Sequence, residues 1–378
     1  MVSPWLPRRL QARVSVAMGE LPRQPWRVAR ALPRGSRRVM LSAATQELPA
    51  PAVVVFDNRP EASRMPPTTM RFAERSFYRL RAMVLPGHIL LDPGTGRLMP
   101  IPLHVKEGAF LHPGLSKSGG GLELRRQPRR RATRIDGPVF LADTVHLEYG
   151  HVLLEILPRL AHLERCPPET KVLTSLVMRE PYLTLFAHMG VPAERIVHID
   201  RPIICKEAYV VDSPIDIRSF MTADAWRTFE RLATLADASS IDTPERIYVS
   251  RRGASRRHML NEEEIEALFM RYGFTILHPE RLAIQDQVRL FSKAKMIAGP
   301  RGSGLHNIVF SRPDTPLLLL TERRSVPAID TFLMRADGTL AYAMGDVDAG
   351  SASLAIHLRD FTVDPGLAER ALRSHFGL

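Results

Sequence analysis

The chain has 378 residues, 45% hydrophobic and 24% charged, enough for a sizeable core and for two domains or one large one with appendages. No apolar run approaches the roughly 18 residues of a spanning helix, and two cysteines, Cys166 and Cys205, cannot build a zinc site or a disulfide framework, so both are expected as reduced intracellular thiols. The net charge of +12 comes from Arg, 46 against 6 Lys, and fits either a GC-rich genome or a phosphate-bearing partner such as a nucleotide, a nucleic acid or an anionic membrane surface.

Residues 1–50 read as a basic, Pro-studded, disordered arm with nine Arg and one acid, Glu20, in the first 40 positions. No apolar stretch of about 7–15 residues follows its first Arg residues, which excludes a secretory signal. Val53–Phe56 reads as a first strand, and a Pro- and Gly-rich stretch to about 135 reads as loops. Within it Arg125, Arg126, Arg129, Arg130, Arg131 and Arg134 repel one another and are expected on an exposed loop.

Pro138–Ala142 reads as a strand, and 146–163 as a helix with apolar residues at 152, 153, 156, 157 and 160. Short buried strands are expected at 171–174, 195–199 and 208–211, with a helix near 180–189. A helix over 222–238 leads into Ser239–Pro244, a candidate linker. From 246 to 320 strand and helix alternate four times, the signature of a parallel, doubly wound α/β domain that binds ligands beyond the carboxyl ends of its strands. Asn261 with Glu264 reads as a helix start, Gly273 as its end. Gly366–Phe376 reads as a last helix.

Three segments could carry chemistry. Gly299-Pro-Arg301-Gly302-Ser303-Gly304-Leu-His-Asn307 joins a strand to a helix, where glycines let backbone approach a ligand and free N–H groups favour an anion. It is neither a Walker loop nor a GxGxxG fingerprint. Ser250-Arg251-Arg252 through Arg256-Arg257 follows another strand and falls at the same sheet edge, and guanidinium forks suit phosphate. His151 and Glu155, four apart on one helix face, fit a general base and its orienting carboxylate, although the spacing alone favours an ordinary helical ion pair or a capped core histidine. Asp346-Val-Asp348 reads as a turn, and His104, His112 and His198 lack partners at ligand spacing, so no metal site is expected.

In this order the segments resemble the catalytic domain of glycosyltransferase family 61, known from capsular polysaccharide biosynthesis proteins and from xylosyl- and N-acetylglucosaminyltransferases. The resemblance runs from about 145 to 325. It is carried by Tyr149-Gly-His151 with Leu157-Pro158-Arg159; by Ser250-Arg251, Arg257 and Asn261-Glu262-Glu263; and by Gly273-Phe274, Gln287 and the loop Gly299 to Asn307. Arg301 stands where the family has His, Ser303 where it has Ala, and no second aromatic precedes His151.

The resemblance implies an α/β, GT-B-like fold of two Rossmann-like domains facing across a cleft: an acceptor-side domain over 51–238, a nucleotide-sugar-binding domain over 245–345, and a segment 346–378 packing back. It implies an inverting, metal-independent transfer from a nucleotide-sugar, UDP-linked, to a glycan or lipid-linked glycan in surface or capsular polysaccharide synthesis. The expected donor-binding residues are Ser250, Arg251, Arg257, Asn261, Gln287, Gly299, Arg301, Gly302, Ser303, Gly304 and Asn307. The base is His151 or Glu155, and no cofactor or metal is expected. The protein is expected in the cytoplasm, with the arm in peripheral contact with anionic inner membrane. The alternatives are a nucleic-acid-binding protein using the Arg-rich arm and loop, which lack interleaved aromatics, and a nucleotide-sugar-binding protein without turnover.

Overall fold

A computed structural model of the chain describes residues 32–42, 47–49, 53–59, 69–71, 75–94, 98–99, 105–106, 109–110, 115–118, 121–124, 132–216, 220–323, 328–334, 338–355 and 358–378. Most of the expected basic arm, Arg125 to Arg131, His104 and His112 lie outside these residues. The chain folds as two compact units, one of residues 1–44 and 73–214, the other of 45–72 and 215–378.

The main strands are β1 (Arg37–Ser42), β2 (Val53–Phe56), β3 (Arg75–Leu85), β4 (Ile89–Leu91), β5 (Thr133–Leu141), β6 (Lys171–Thr174), β7 (Ile196–His198), β8 (Ile203–Val211), β9 (Arg246–Val249), β10 (Thr275–Leu277), β11 (Met296–Pro300), β12 (Leu317–Glu322), β13 (Leu340–Val347) and β14 (Phe361–Thr362). The main helices are α1 (Tyr182–His188), α2 (Ala223–Ala233), α3 (Glu262–Arg271), α4 (Ile284–Lys293), α5 (Ala328–Phe332) and α6 (Pro365–Phe376).

The first unit is built on a mixed sheet of order β1-β3-β8-β5-β6-β7, with β4 on β3. β8, β5, β6 and β7 run parallel, whereas β3 is antiparallel to both β8 and β1. The 11-residue β3 falls in the stretch expected to be loops. Its signal was the period of two: Arg79 and Arg81 face out while Leu80, Ala82 and Val84 are buried. A helical run over 149–160 buries Val152, Leu153, Ile156, Leu157 and Leu160, as the apolar spacing requires. Its middle turn, Val152–Ile156, is wound wider than an α-helix, with Leu157 N–H donating to the Val152 carbonyl five residues back.

The second unit carries a sheet of order β10-β9-β11-β12-β13, parallel throughout, with β2 parallel and β14 antiparallel beside β13. This is the doubly wound order, and its switch point falls between β9 and β11. One core gathers Tyr248, Phe269, Phe274, Leu318, Leu320, Phe361, Leu372 and Phe376. The Asp364 carboxylate caps α6, accepting from Leu367 N–H at 2.7 Å.

Three placements differ from the sequence expectation. β2 pairs with β13 in the second unit instead of opening the first. The units part at 214/215 instead of at Ser239–Pro244; Ser239 Oγ is 2.6 Å from an Asp286 carboxylate on α4, so this stretch is held against its own unit. The last segment packs on α3, β12 and β13, within the second unit. Among the described residues no helix is long and apolar enough to cross a membrane.

Candidate active site

The second unit brings two of the flagged segments to the switch-point crevice, one following β9 and the other β11. Gly299 lets these strands meet: its φ is +154°, and a Cβ there would stand 2.5 Å from the Val249 carbonyl oxygen. Gly302 has extended backbone, φ 175°, so space alone demands glycine there. A Cβ would stand 1.8 Å from Arg251 Nη1, because the guanidinium lies across the bare backbone. Ser303 then opens a tight, 3-10-type helix to Phe310, an eight-residue element where an α-helix was expected.

Arg257 sits with φ +55° and donates from Nη2 to the Arg301 carbonyl at 2.5 Å, tying the two loops together. Arg251 donates from Nη2 to the Arg256 carbonyl, and its own N–H donates to Glu262 Oε1 at 2.6 Å. Arg301 pairs with buried Asp330 at 2.8 Å. Three guanidiniums therefore converge here. Burial first, then the charges of Arg251 and Arg301, push the Arg257 pKa down to about 9. Burial likewise lowers Arg251. Asp330 and Glu322 supply only partial compensation to Arg257. Such a group of desolvated like charges has the chemistry to receive a polyanion.

Other flagged residues brace this site. Gln287 donates from Nε2 to the carbonyls of Pro279 and Leu282 and accepts from Asn307 Nδ2 at 2.9 Å. Both are buried, so their amides fasten α4 to the 303–310 helix. Asn261 bonds the Val363 backbone twice, 2.8 Å to its carbonyl and 3.2 Å from its N–H, and makes no cap bond to α3. Ser250 is buried, with Oγ accepting from Arg252 N–H at 3.2 Å. A Cβ at Gly304 would stand 3.3 Å from Val249 Cγ1. Arg252 pairs with Glu263 and Glu266. Asp348 accepts from Ser351 N–H in the expected turn, while Asp346 ends β13 and pairs with Arg323.

Glu262 belongs to the helix start and to the Asn261-Glu262-Glu263 segment, with no role of its own expected. Burial, with Glu266 nearby, raises its pKa to about 7 despite the Arg251 N–H and guanidinium.

The first unit holds the third segment beyond the carboxyl end of β5. Buried Asp143 accepts from Ser175 N–H, Ser175 Oγ and His88 N–H, which fixes the start of this loop. Thr144 Oγ1 then donates to Glu155 Oε2 at 2.6 Å. The other oxygen, Oε1, lies 2.5 Å from His151 Nδ1. Burial alone would raise the Glu155 pKa; the bond and charge of His151, the Arg159 guanidinium and the Thr144 hydroxyl outweigh it and bring the carboxyl to about 2. Arg159 donates to the carbonyls of Asp143 and Glu155 from inside the fold. Glu155 is thus a fixed carboxylate at neutral pH, aimed at one imidazole nitrogen.

One further group was not flagged by spacing. His146, Glu148 and His151 each offer a ligand atom, all within 4.8 Å of one another. Of the histidines considered from the sequence, His198 does not take part, its Nδ1 lying 3.3 Å from the Leu176 carbonyl, and His104 and His112 lie outside the described residues. A short irregular stretch between strand and helix has no periodicity to betray such a meeting. Cys166 and Cys205 are free thiols, each pushed up to about 12 by burial, and inert as nucleophiles.

No curated protein matches the chain. Residues 149–318, which run from the His151 segment through the Arg251 and Gly302 loops, match the family model described as Glycosyltransferase 61, and this match supports glycosyltransferase family 61 for that part of the chain.

Proposed function

We propose that the protein is an inverting, metal-independent glycosyltransferase of GT-B type. It moves a sugar from a UDP-linked donor to a glycan or lipid-linked glycan acceptor in surface polysaccharide synthesis. The observation that carries this reading is the convergence of Arg251, Arg257 and Arg301 around the bare backbone of Gly302, at the switch point of the parallel sheet. The second unit takes the donor and the first serves the acceptor. Its place of work is the cytoplasm, at the inner face of an anionic membrane.

The reaction breaks the bond between the anomeric carbon and the diphosphate while an acceptor hydroxyl attacks from the opposite face. Negative charge grows on the leaving diphosphate. Arg251, Arg257 and the N–H groups at Gly302 to Gly304 meet it, and no metal is required for that task. Arg301, held by Asp330, keeps a cation where the family has His. Gln287, Asn307 and Asn261 act from behind, as braces of the loops. Losing one such charge contact costs about 2–4 kcal/mol at the transition state, roughly 30- to 1000-fold in rate.

The hydroxyl proton goes to His151. Glu155 is held at about 2, too acidic to be an efficient acceptor near neutral pH, and its position at Nδ1 fits an orienting role. With the Nδ1 proton shared with Glu155, Nε2 takes the proton, and the carboxylate stabilises the imidazolium that forms.

The test is transfer from a panel of nucleotide-sugars by purified protein, beside calorimetry with UDP. Glu155→Gln is expected to leave UDP affinity unchanged and to lower kcat by about 10²–10⁴-fold. Retained transfer in this variant refutes the orienting role. Absence of both transfer and UDP binding refutes the assignment of the donor site.

A further inference from the structure

The group formed by His146, Glu148 and His151 lies outside the leaving-group chemistry and has the composition of a transition-metal site. Two imidazoles and a carboxylate are the ligand set favoured by zinc and its neighbours, and three protein ligands leave room for a water. The ligand atoms lie within 4.8 Å of one another, and the two imidazole rings are 4.8 Å apart between centroids, tilted by 33°. A tetrahedral ion with bonds of about 2.0–2.1 Å holds its ligand atoms roughly 3.4 Å apart. Closing the set therefore takes side-chain movements of about 1.4 Å or less. His146 is exposed and Glu148 is half-buried, so rotamer adjustment suffices.

The surroundings are organised as such a site requires. A ligating His normally gives its second ring nitrogen to a carboxylate, which fixes the tautomer and makes the ring a better ligand. Glu155 occupies this place, 2.5 Å from His151 Nδ1, and is itself anchored by Thr144 Oγ1 at 2.6 Å and by the charge of Arg159. Thr144 also pins the loop that carries His146 and Glu148 toward the helical run that carries His151.

We propose that His146, Glu148 and His151 bind one borderline transition-metal ion, with Zn²⁺ the best match, through His151 Nε2 with Glu155 as the outer carboxylate. The same nitrogen is the proton acceptor in the function proposed above. Metal and proton compete for it, and a bound ion silences transfer. The binding claim is independent of that function; only the inhibition rests on it.

The test uses the full chain, stripped with a chelator and titrated with Co²⁺ followed by visible absorption, and with Zn²⁺ followed by calorimetry. One equivalent of either ion is expected to bind. Glu155→Gln is expected to weaken binding about 10- to 100-fold, and His146→Ala and Glu148→Gln by at least tenfold each. Far-UV circular dichroism and UDP affinity are read on each variant to show that the fold and the second unit are intact. Folded variants that bind Zn²⁺ as tightly as the parent overturn the site, as does a parent that binds none. Binding with no rise in inhibition as Zn²⁺ saturates overturns the competition for His151 and leaves the site standing. Inhibition that persists in a folded His146→Ala at the parent's Zn²⁺ concentration overturns the link between this site and the inhibition.

Discussion

Gly302→Ala separates space from backbone conformation at the proposed diphosphate site. The φ of 175° suits any residue, so alanine carries no backbone strain. Its methyl group would stand 1.8 Å from Arg251 Nη1 and 2.7 Å from Cζ, against the roughly 3.5 Å that non-bonded atoms need. The guanidinium must swing away by about 1.5–2 Å, more than any charge-assisted hydrogen bond of about 2.8 Å tolerates. One charge-assisted bond contributes about 1.5–3 kcal/mol, so UDP affinity is expected to fall about 10- to 150-fold. The fold loses only the Arg251–Arg256 carbonyl bond, about 1 kcal/mol, or a Tm change of about 2–4 °C. The assay is calorimetric titration with UDP at fixed salt on the variant, on Arg251→Ala, and on the two combined. Since both act through one guanidinium, the double variant is expected to bind no more weakly than Arg251→Ala alone. Parental affinity in Gly302→Ala, or full additivity of the two losses, refutes the reasoning.

Arg257→Ala removes a charge that burial and two like neighbours disfavour. UDP binding is expected to fall by about 30-fold or more, with a Tm change in the absence of UDP no greater than the roughly 2–4 °C that the lost bond to the Arg301 carbonyl accounts for; a larger fall would mark the residue as structural. Glu262 gives the pH dependence. Its folded pKa of about 7 lies above its ordinary 4.5, so the folded state holds more protons than the unfolded between these values, and stability falls as pH rises through that window. The fall is on the order of 3 kcal/mol at most. Urea titrations across pH 4–8 are expected to show it, and Glu262→Gln to flatten it. Asp57→Ala leaves buried Arg323 with Asp346 alone and is expected to cost about 3 kcal/mol in urea unfolding.

The second unit was legible because each of its parallel strands is a compact apolar run closed by a helix signal, and local signals suffice for that architecture. Arg251, Arg257 and Gly302 followed from it, since the end of a strand fixes where its loop goes. Asn261, Gln287 and Asn307 stood in the right motif with their task hidden: a polar side chain reads the same whether it meets a ligand or a buried carbonyl. β3 was missed because the surrounding Pro and Gly outweighed its alternation. The pairing of β2 was not legible at all, since Val53–Phe56 has no local preference between one sheet and the other. The meeting of His146 with His151 depends on how Thr144 folds back onto Glu155, a contact between chain turns without a pattern of its own.

The seat of β2 has a cost during synthesis. Val53 lies opposite Leu340, so this short, wholly apolar strand leaves the ribosome about three-quarters of a chain length before its neighbour exists. Such a distant pairing folds slowly, and until it closes, Val53–Phe56 offers an open hydrophobic edge to other nascent chains.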